Sequence, residues 1–208
     1  MAATSGSLSE GLRRVVNDLL ELSVPFALVG GLAVSARAEP RLTRDIGVAV
    51  GGEVNPEEVV QRFLGRRYRV EMVVEQTRVD RLSTVRLVPA RSGFVLDLLF
   101  ASSGIESEIV NAAELLDVLE GLRLPVARTG HLIAMKLLAA DARQRPQDLD
   151  DIRALLVTAS AVERRRVTTA IGLIERRGFA RGRDLQKRWR DARDSYAPRR
   201  RAARAPKQ

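Results

Sequence analysis

The sequence predicts an α+β protein: a mixed sheet flanked by helices over residues 1–128, a C-terminal helical bundle over 129–194, and a basic tail over 195–208. Three observations lead there. Short apolar runs of strand character alternate with helical spacing up to about residue 128. Beyond Thr129 every patterned stretch is helical. The 208 residues are 45% apolar, enough to bury a core of ordinary domain size.

Residues 8–23 place Leu8, Leu12, Val15, Val16, Leu19, Leu20 and Leu22 at helical spacing. Pro25 ends that helix, and 26–29 (Phe-Ala-Leu-Val) reads as a short buried strand. Gly30-Gly31 is expected to be a turn, 32–38 a short helix, 45–50 a strand, and 56–64 a helix with Pro56 in its first turn. Strands follow at 68–74, at 81–88 (alternating Leu82, Thr84, Arg86, Val88) and at 94–100, with Pro89 and Gly93 supplying the turn. A hairpin is expected over 115–127, turning at Glu120-Gly121. Thr129 is a candidate N-cap, and 130–142, 146–158, 162–176 and 184–193 all carry helical patterns. No internal repeat is present.

Composition removes several functions. There is no Cys and only one His, so disulfides, thiolate sites, a Cys nucleophile and a His-rich zinc site are excluded. The apolar runs are too short to span a bilayer, and the N-terminus lacks the basic start and apolar stretch of a signal peptide. A soluble, cytoplasmic protein is expected. The net charge is +9, but residues 181–208 hold 11 Lys+Arg against 3 Asp, so +8 of it belongs to the tail. The Arg-rich block at 199–204 is expected to be disordered, serving either solubility or contact with phosphate backbones. Of 35 basic residues only Lys136, Lys187 and Lys207 are lysines, which draws attention to Lys136 inside the folded region.

Two clusters carry chemistry. In the first, Gly30-Gly31 joins a strand to a helix, where backbone can approach a phosphate and free N–H groups face it. Arg41-Leu42-Thr43-Arg44-Asp45-Ile46-Gly47 follows, and Asp97 later sits inside an apolar strand. A carboxylate there must be paired or hold a metal. Asp97 therefore has either a structural Arg partner or, with Asp45 on a neighbouring strand, a share in one Mg²⁺. In the second cluster, Lys136 and Arg143 fall on one helix face, a point charge and a fork suited to a triphosphate. Pro146 then opens a helix bearing Asp148, Asp150 and Asp151, whose acidity also suits the helix dipole. His131 has no partner set and reads as structural.

Strand-Gly-Gly-helix, Arg-x-Thr-x-Asp, a later strand Asp, then Lys136-x-x-Ala139-x-x-x-Arg143 and Arg145-Pro146-x-Asp148-x-x-Asp151 together resemble the AbiEii/AbiGii nucleotidyltransferase toxins over roughly residues 8–180. The resemblance implies a polymerase-β-like nucleotidyltransferase core with a helical C-terminal domain. It also implies metal-dependent transfer of NMP from an NTP to an RNA acceptor, typically the tRNA 3′ end, by the toxin of a toxin–antitoxin pair with a cognate antitoxin protein. Carried over residue by residue, Gly30 and Gly31 would cradle the triphosphate, with Thr43 beside the metal. Asp45 and Asp97 would hold Mg²⁺ or Mn²⁺, and Lys136 and Arg143 would bind phosphates. Asp151, with Asp148 as runner-up, would be the essential acid.

The sequence departs from that family in one place. The pattern on the second strand is Asp-x-Asp, whose two carboxylates face one side; here the second position is Gly47. Losing one such stabiliser costs about 10²–10³ in rate. Glu39, Glu53 and Glu71 lie near in sequence, but spacing assigns none of them to the site. The alternative reading is thus a catalytically impaired nucleotide- or RNA-binding protein on the same fold. A third, a nucleic-acid binder working through the Arg tail, finds no helix-turn-helix or stacking surface to support it.

Overall fold

The computed structural model describes residues 8–76, 81–90, 93–141 and 146–196. The first half of the chain runs α1 (Leu8–Glu21), β1 (Phe26–Val29), α2 (Gly30–Arg37), β2 (Asp45–Val50), α3 (Pro56–Leu64), β3 (Tyr68–Gln76), β4 (Arg81–Pro89) and β5 (Val95–Leu99). The second runs α4 (Glu106–Asn111), β6 (Glu114–Leu119), β7 (Leu122–Val126), α5 (Thr129–Ala139), α6 (Gln147–Thr158), α7 (Ala161–Arg176) and α8 (Leu185–Tyr196).

Local chemistry explains the boundaries. In α1, Leu12, Val15, Val16 and Leu19 form the buried stripe that helical periodicity requires. Asn55 caps α3, its side chain accepting from Glu58 N at 3.0 Å, with Pro56 in the first turn. Ser160 caps α7 in the same way, accepting from Glu163 N at 3.3 Å. Glu163 in turn accepts from Gly130 N at 2.7 Å, so α7 supplies the anionic cap of α5.

The strands form one mixed sheet of order β3-β4-β5-β2-β1-β7-β6. β2 runs parallel to β5 and antiparallel to β1, β4 is antiparallel to β5, and β1 meets β7 in parallel. β1 and β2 sit near the middle, which is why their sequences are nearly all apolar. One continuous apolar cluster extends from the sheet into α5, α6, α7 and α8, so the strand-bearing and all-helical parts share a core.

Several expectations shift. Gly30-Gly31 is not a free turn but the first turn of α2, and φ of +69° at Gly30 makes the abrupt strand-to-helix entry possible. Thr129 is the first residue of α5 rather than its cap. α4 lies where no element was expected, because six residues carry too little periodicity to be read. β3 continues to Gln76 and α8 to Tyr196. The Arg-rich block at 199–204 lies outside the described residues. No helix among the described residues is long and apolar enough to cross a membrane.

Candidate active site

Pairing register builds the site. Val29 is opposite Gly47, Gly47 opposite Asp97, Asp97 opposite Arg86, and Arg86 opposite Met72, giving one row across five strands. Residues in such a row face the same side, and Asp45, two positions before Gly47, shares that face. Because β1 ends where β2 begins, the same sheet end also receives Gly30-Gly31 and the start of α2. Val29 at the N-cap gives α2 no side-chain cap, so among the described residues its first N–H groups are left for another acceptor.

A cavity of about 570 Å³ opens here, lined by Gly30, Gly31, Thr43, Asp45, Gly47, Arg86 and Asp97 on the sheet side. Leu132, Met135, Lys136 and Ala139, one face of α5, form the opposite wall together with Asp148 of α6. Residues some ninety positions apart thus meet across one cleft. Thr43 braces the entry to β2, its hydroxyl 3.4 Å from Asp45 N. Arg143, expected on the Lys136 face, lies outside the described residues.

The carboxylates are not vacant. Arg86 donates Nε to Asp97 Oδ1 at 2.8 Å and Nη2 to Asp97 Oδ2 at 2.9 Å, a bidentate fork, and its Nη2 lies 3.6 Å from Asp45 Oδ2. These bonds, led by that from Asp97, raise the guanidinium pKa still further, so it is a permanent cation. Asp97 thus has an Arg partner, one of the two readings the sequence left open.

The second cluster is also paired internally. Lys136 Nζ lies 2.6 Å from Asp148 Oδ1 and 2.7 Å from Asp151 Oδ2. Arg41 grips Asp151 in turn, with Nε at 2.6 Å and Nη2 at 2.9 Å. Asp148 and Asp151 are 0% and 2% exposed, a burial that carboxylates tolerate only when paired. Lys136 faces the cavity; Asp151 stands behind it, reached through Lys136 and Arg41. Gly31 sits tightly beneath, since a Cβ there would fall 2.8 Å from Arg41 Nη2 and 3.0 Å from Thr43 Cβ.

The residues present do not make a divalent-cation site of their own. Asp97 has both oxygens on Arg86, Asp45 has one oxygen near the same guanidinium, and Gly47 brings no donor to the position between them. Among the described residues no group of three or more His, Asp or Glu is arranged to hold a metal. Space does not force the glycine: a Cβ at Gly47 would meet Val29 at 3.4 Å, a close but tolerable contact.

His131 is 5% exposed, and burial together with Arg166 lowers its pKa to about 4, so it is neutral at physiological pH. It lines a separate cavity between α4, α5 and α7 rather than the cleft.

Sequence reasoning passed over Arg86, Arg41, Glu75 and Arg181, all of which reach the cleft. A signal for Arg86 existed. It is the one charged member of the Leu82, Thr84, Arg86, Val88 alternation, and Arg86 and Asp97 lie on opposite sides of the Pro89 and Gly93 turn signal in the sequence at nearly equal distance, the relation that opposes two residues in a hairpin.

The family model of the nucleotidyl transferase AbiEii toxin of type IV toxin–antitoxin systems matches residues 14–205. No curated protein matches the sequence significantly. Among solved structures, the antibiotic-resistance factor ANT(2″)-Ia aligns with a TM-score of 0.55 at 17% identity, covering 80% of this chain and 90% of its own. The same factor in complex with adenylyl-2″-tobramycin gives 0.53 at 15% identity, covering 80% and 95%. An antigenic nucleotidyltransferase-like protein from Paracoccidioides brasiliensis gives 0.51 at 16% identity, covering 88% and 92%. At such identities the likeness is one of fold: a mixed sheet flanked by helices, as nucleotidyltransferases have.

Proposed function

The chain belongs to the nucleotidyl transferase AbiEii toxin family, and from that premise we propose that it transfers NMP from an NTP to an RNA acceptor, the 3′ end of tRNA, as the toxin of a pair whose antitoxin is a second protein. The observation that carries this is convergence. An uncapped Gly-Gly helix start, two aspartates, and Lys136, Asp148 and Arg41 with Asp151 behind them face one cavity of about 570 Å³, a volume suited to a small ligand such as a nucleotide.

In this reading the triphosphate lies over Gly30 and Gly31, its oxygens accepting N–H groups at the start of α2. Mg²⁺ or Mn²⁺ enters as the metal salt of the nucleotide and is part of the substrate. The acceptor hydroxyl oxygen attacks the α-phosphorus in line; the bond to the bridging oxygen breaks, pyrophosphate leaves, and the hydroxyl proton passes to solvent. The protein's contribution is placement and charge. Lys136 has three N–H donors; it gives one to Asp148 and pairs as an ion with Asp151, keeping donor capacity for a phosphate oxygen. Asp148 and Asp151, too deep to meet an RNA end, act as positioning residues that fix Lys136 and Arg41.

The test is incubation of the full chain with total tRNA, Mg²⁺ or Mn²⁺, and each of the four α-labelled NTPs. Label is expected on tRNA with at least one nucleotide, and purified tRNA so treated is expected to resist aminoacylation. A second reading, a nucleotide binder without turnover, is favoured by Gly47 and by the Arg86–Asp97 pair. It is accepted if the natural chain transfers nothing while Gly47→Asp does.

A further inference from the structure

We propose that Arg86 is the resident cation of this cleft, a tethered guanidinium standing where a protein-held metal ion would otherwise bridge Asp45 and Asp97. The inference rests on the nucleotide-binding reading above and deepens it. Its first support is position. Arg86 lies in the same pairing row as Asp97 and Gly47, reaching Asp97 through two bonds of 2.8 and 2.9 Å and Asp45 at 3.6 Å. Its second is geometry: Nε and Nη2 serve the aspartates, while Nη1 makes no hydrogen bond among the described residues and belongs to a side chain lining the cavity. A planar fork that holds a carboxylate on one edge keeps the other edge for a phosphate.

Charge supplies the third support. In a two-metal site, three carboxylates and two divalent ions leave one net positive charge toward the phosphates. Two carboxylates, one guanidinium and the single divalent ion that accompanies a triphosphate leave the same. Gly47 and Arg86 then act together: one carboxylate fewer and one fixed monovalent cation give the same field for a nucleotide to meet. Gly47 also keeps the site from carrying a third carboxylate that would compete for the same guanidinium.

The experiment uses the full-length protein. Mn²⁺ binding to nucleotide-free protein is followed by electron paramagnetic resonance, and affinities for ATP, CTP, GTP and UTP are measured in EDTA and in Mg²⁺. The natural chain is expected to take up no Mn²⁺ below about 1 mM, as suits two carboxylates already engaged. At least one nucleotide is expected to bind in EDTA, with about tenfold or more lost in Arg86→Gln and most of the affinity kept in Arg86→Lys. Arg86→Gln is also expected to gain a Mn²⁺ site, because Asp45 and Asp97 are released. Should that variant fail to fold, Arg86→Gln with Asp97→Asn removes both charges together and must still lose binding in EDTA. Mn²⁺ uptake by the natural chain equal to that of Arg86→Gln, or unchanged nucleotide affinity in Arg86→Gln, overturns the proposal. Nucleotide bound only when metal is present defeats Arg86 and leaves the nucleotidyl-transfer reading standing; no nucleotide bound under any condition defeats both.

Discussion

Replacing Lys136 by Met tests whether the buried charge cluster is a structural unit, a functional one, or both. Methionine keeps most of the aliphatic stem, so packing on α5 changes little and the loss is that of the ammonium. That ammonium lies within 2.7 Å of both Asp148 and Asp151, which are 0% and 2% exposed. Removing one member of a buried pair costs about 3–5 kcal/mol, chiefly through the carboxylate left behind. Asp151 keeps its hydrogen bond and close ion pair to Arg41, so the loss is not doubled over the two carboxylates, which places the expectation near the lower end, about 3 kcal/mol. For a chain of this size that lowers Tm by about 6–12 °C. Urea denaturation followed by circular dichroism is the assay, with an unchanged m-value as the check that the unfolding reaction is the same. Adding Asp148→Asn to Lys136→Met should restore at least half of the loss. If Lys136→Met costs under about 1 kcal/mol, or Asp148→Asn fails to compensate, the cluster is not the electrostatic unit described here. The double variant also separates the two roles: folded but unable to bind nucleotide, it would assign Lys136's remaining N–H to a phosphate.

Two further substitutions probe the frame. Gly31→Val should drive Arg41 and Thr43 from their places, weakening nucleotide binding about tenfold or more at a stability cost of about 1–3 kcal/mol; titration calorimetry and thermal melting read the two effects separately. His131 bears on pH. Its folded pKa of about 4 is below the unfolded value of about 6.5, so between those values the unfolded chain binds the extra proton and stability falls as pH falls, by up to about 3 kcal/mol. Glu106, raised by burial, pushes in the opposite sense but is common to both proteins compared. His131→Leu should therefore flatten the decline in urea midpoint between pH 7 and pH 4.5, and an unchanged slope would exclude His131 as its source.

Much of the frame was legible from the residues in order. Helical spacing in α1, the apolar β1 and β2, the Glu120-Gly121 hairpin and the change to all-helical character after Thr129 are local patterns, and the structure contains them. The motif order likewise pointed to Gly30, Gly31, Asp45, Asp97, Lys136 and Asp148, all of which line one cleft. Spacing alone left Asp97's partner open between a metal and an arginine. Strand register supplies the arginine, because opposing β4 to β5 sets Arg86 directly against Asp97. Lys136 and Asp151 read as separate tools for phosphate and for chemistry; in the fold they are 2.7 Å apart and tied to Arg41, a residue whose part no local pattern announced. Periodicity specifies which face of each element is apolar, since that depends on neighbours along the chain. Which charges neutralise one another depends on strand order and helix docking, which bring together groups 11 to 110 residues apart, and only the folded chain sets those distances.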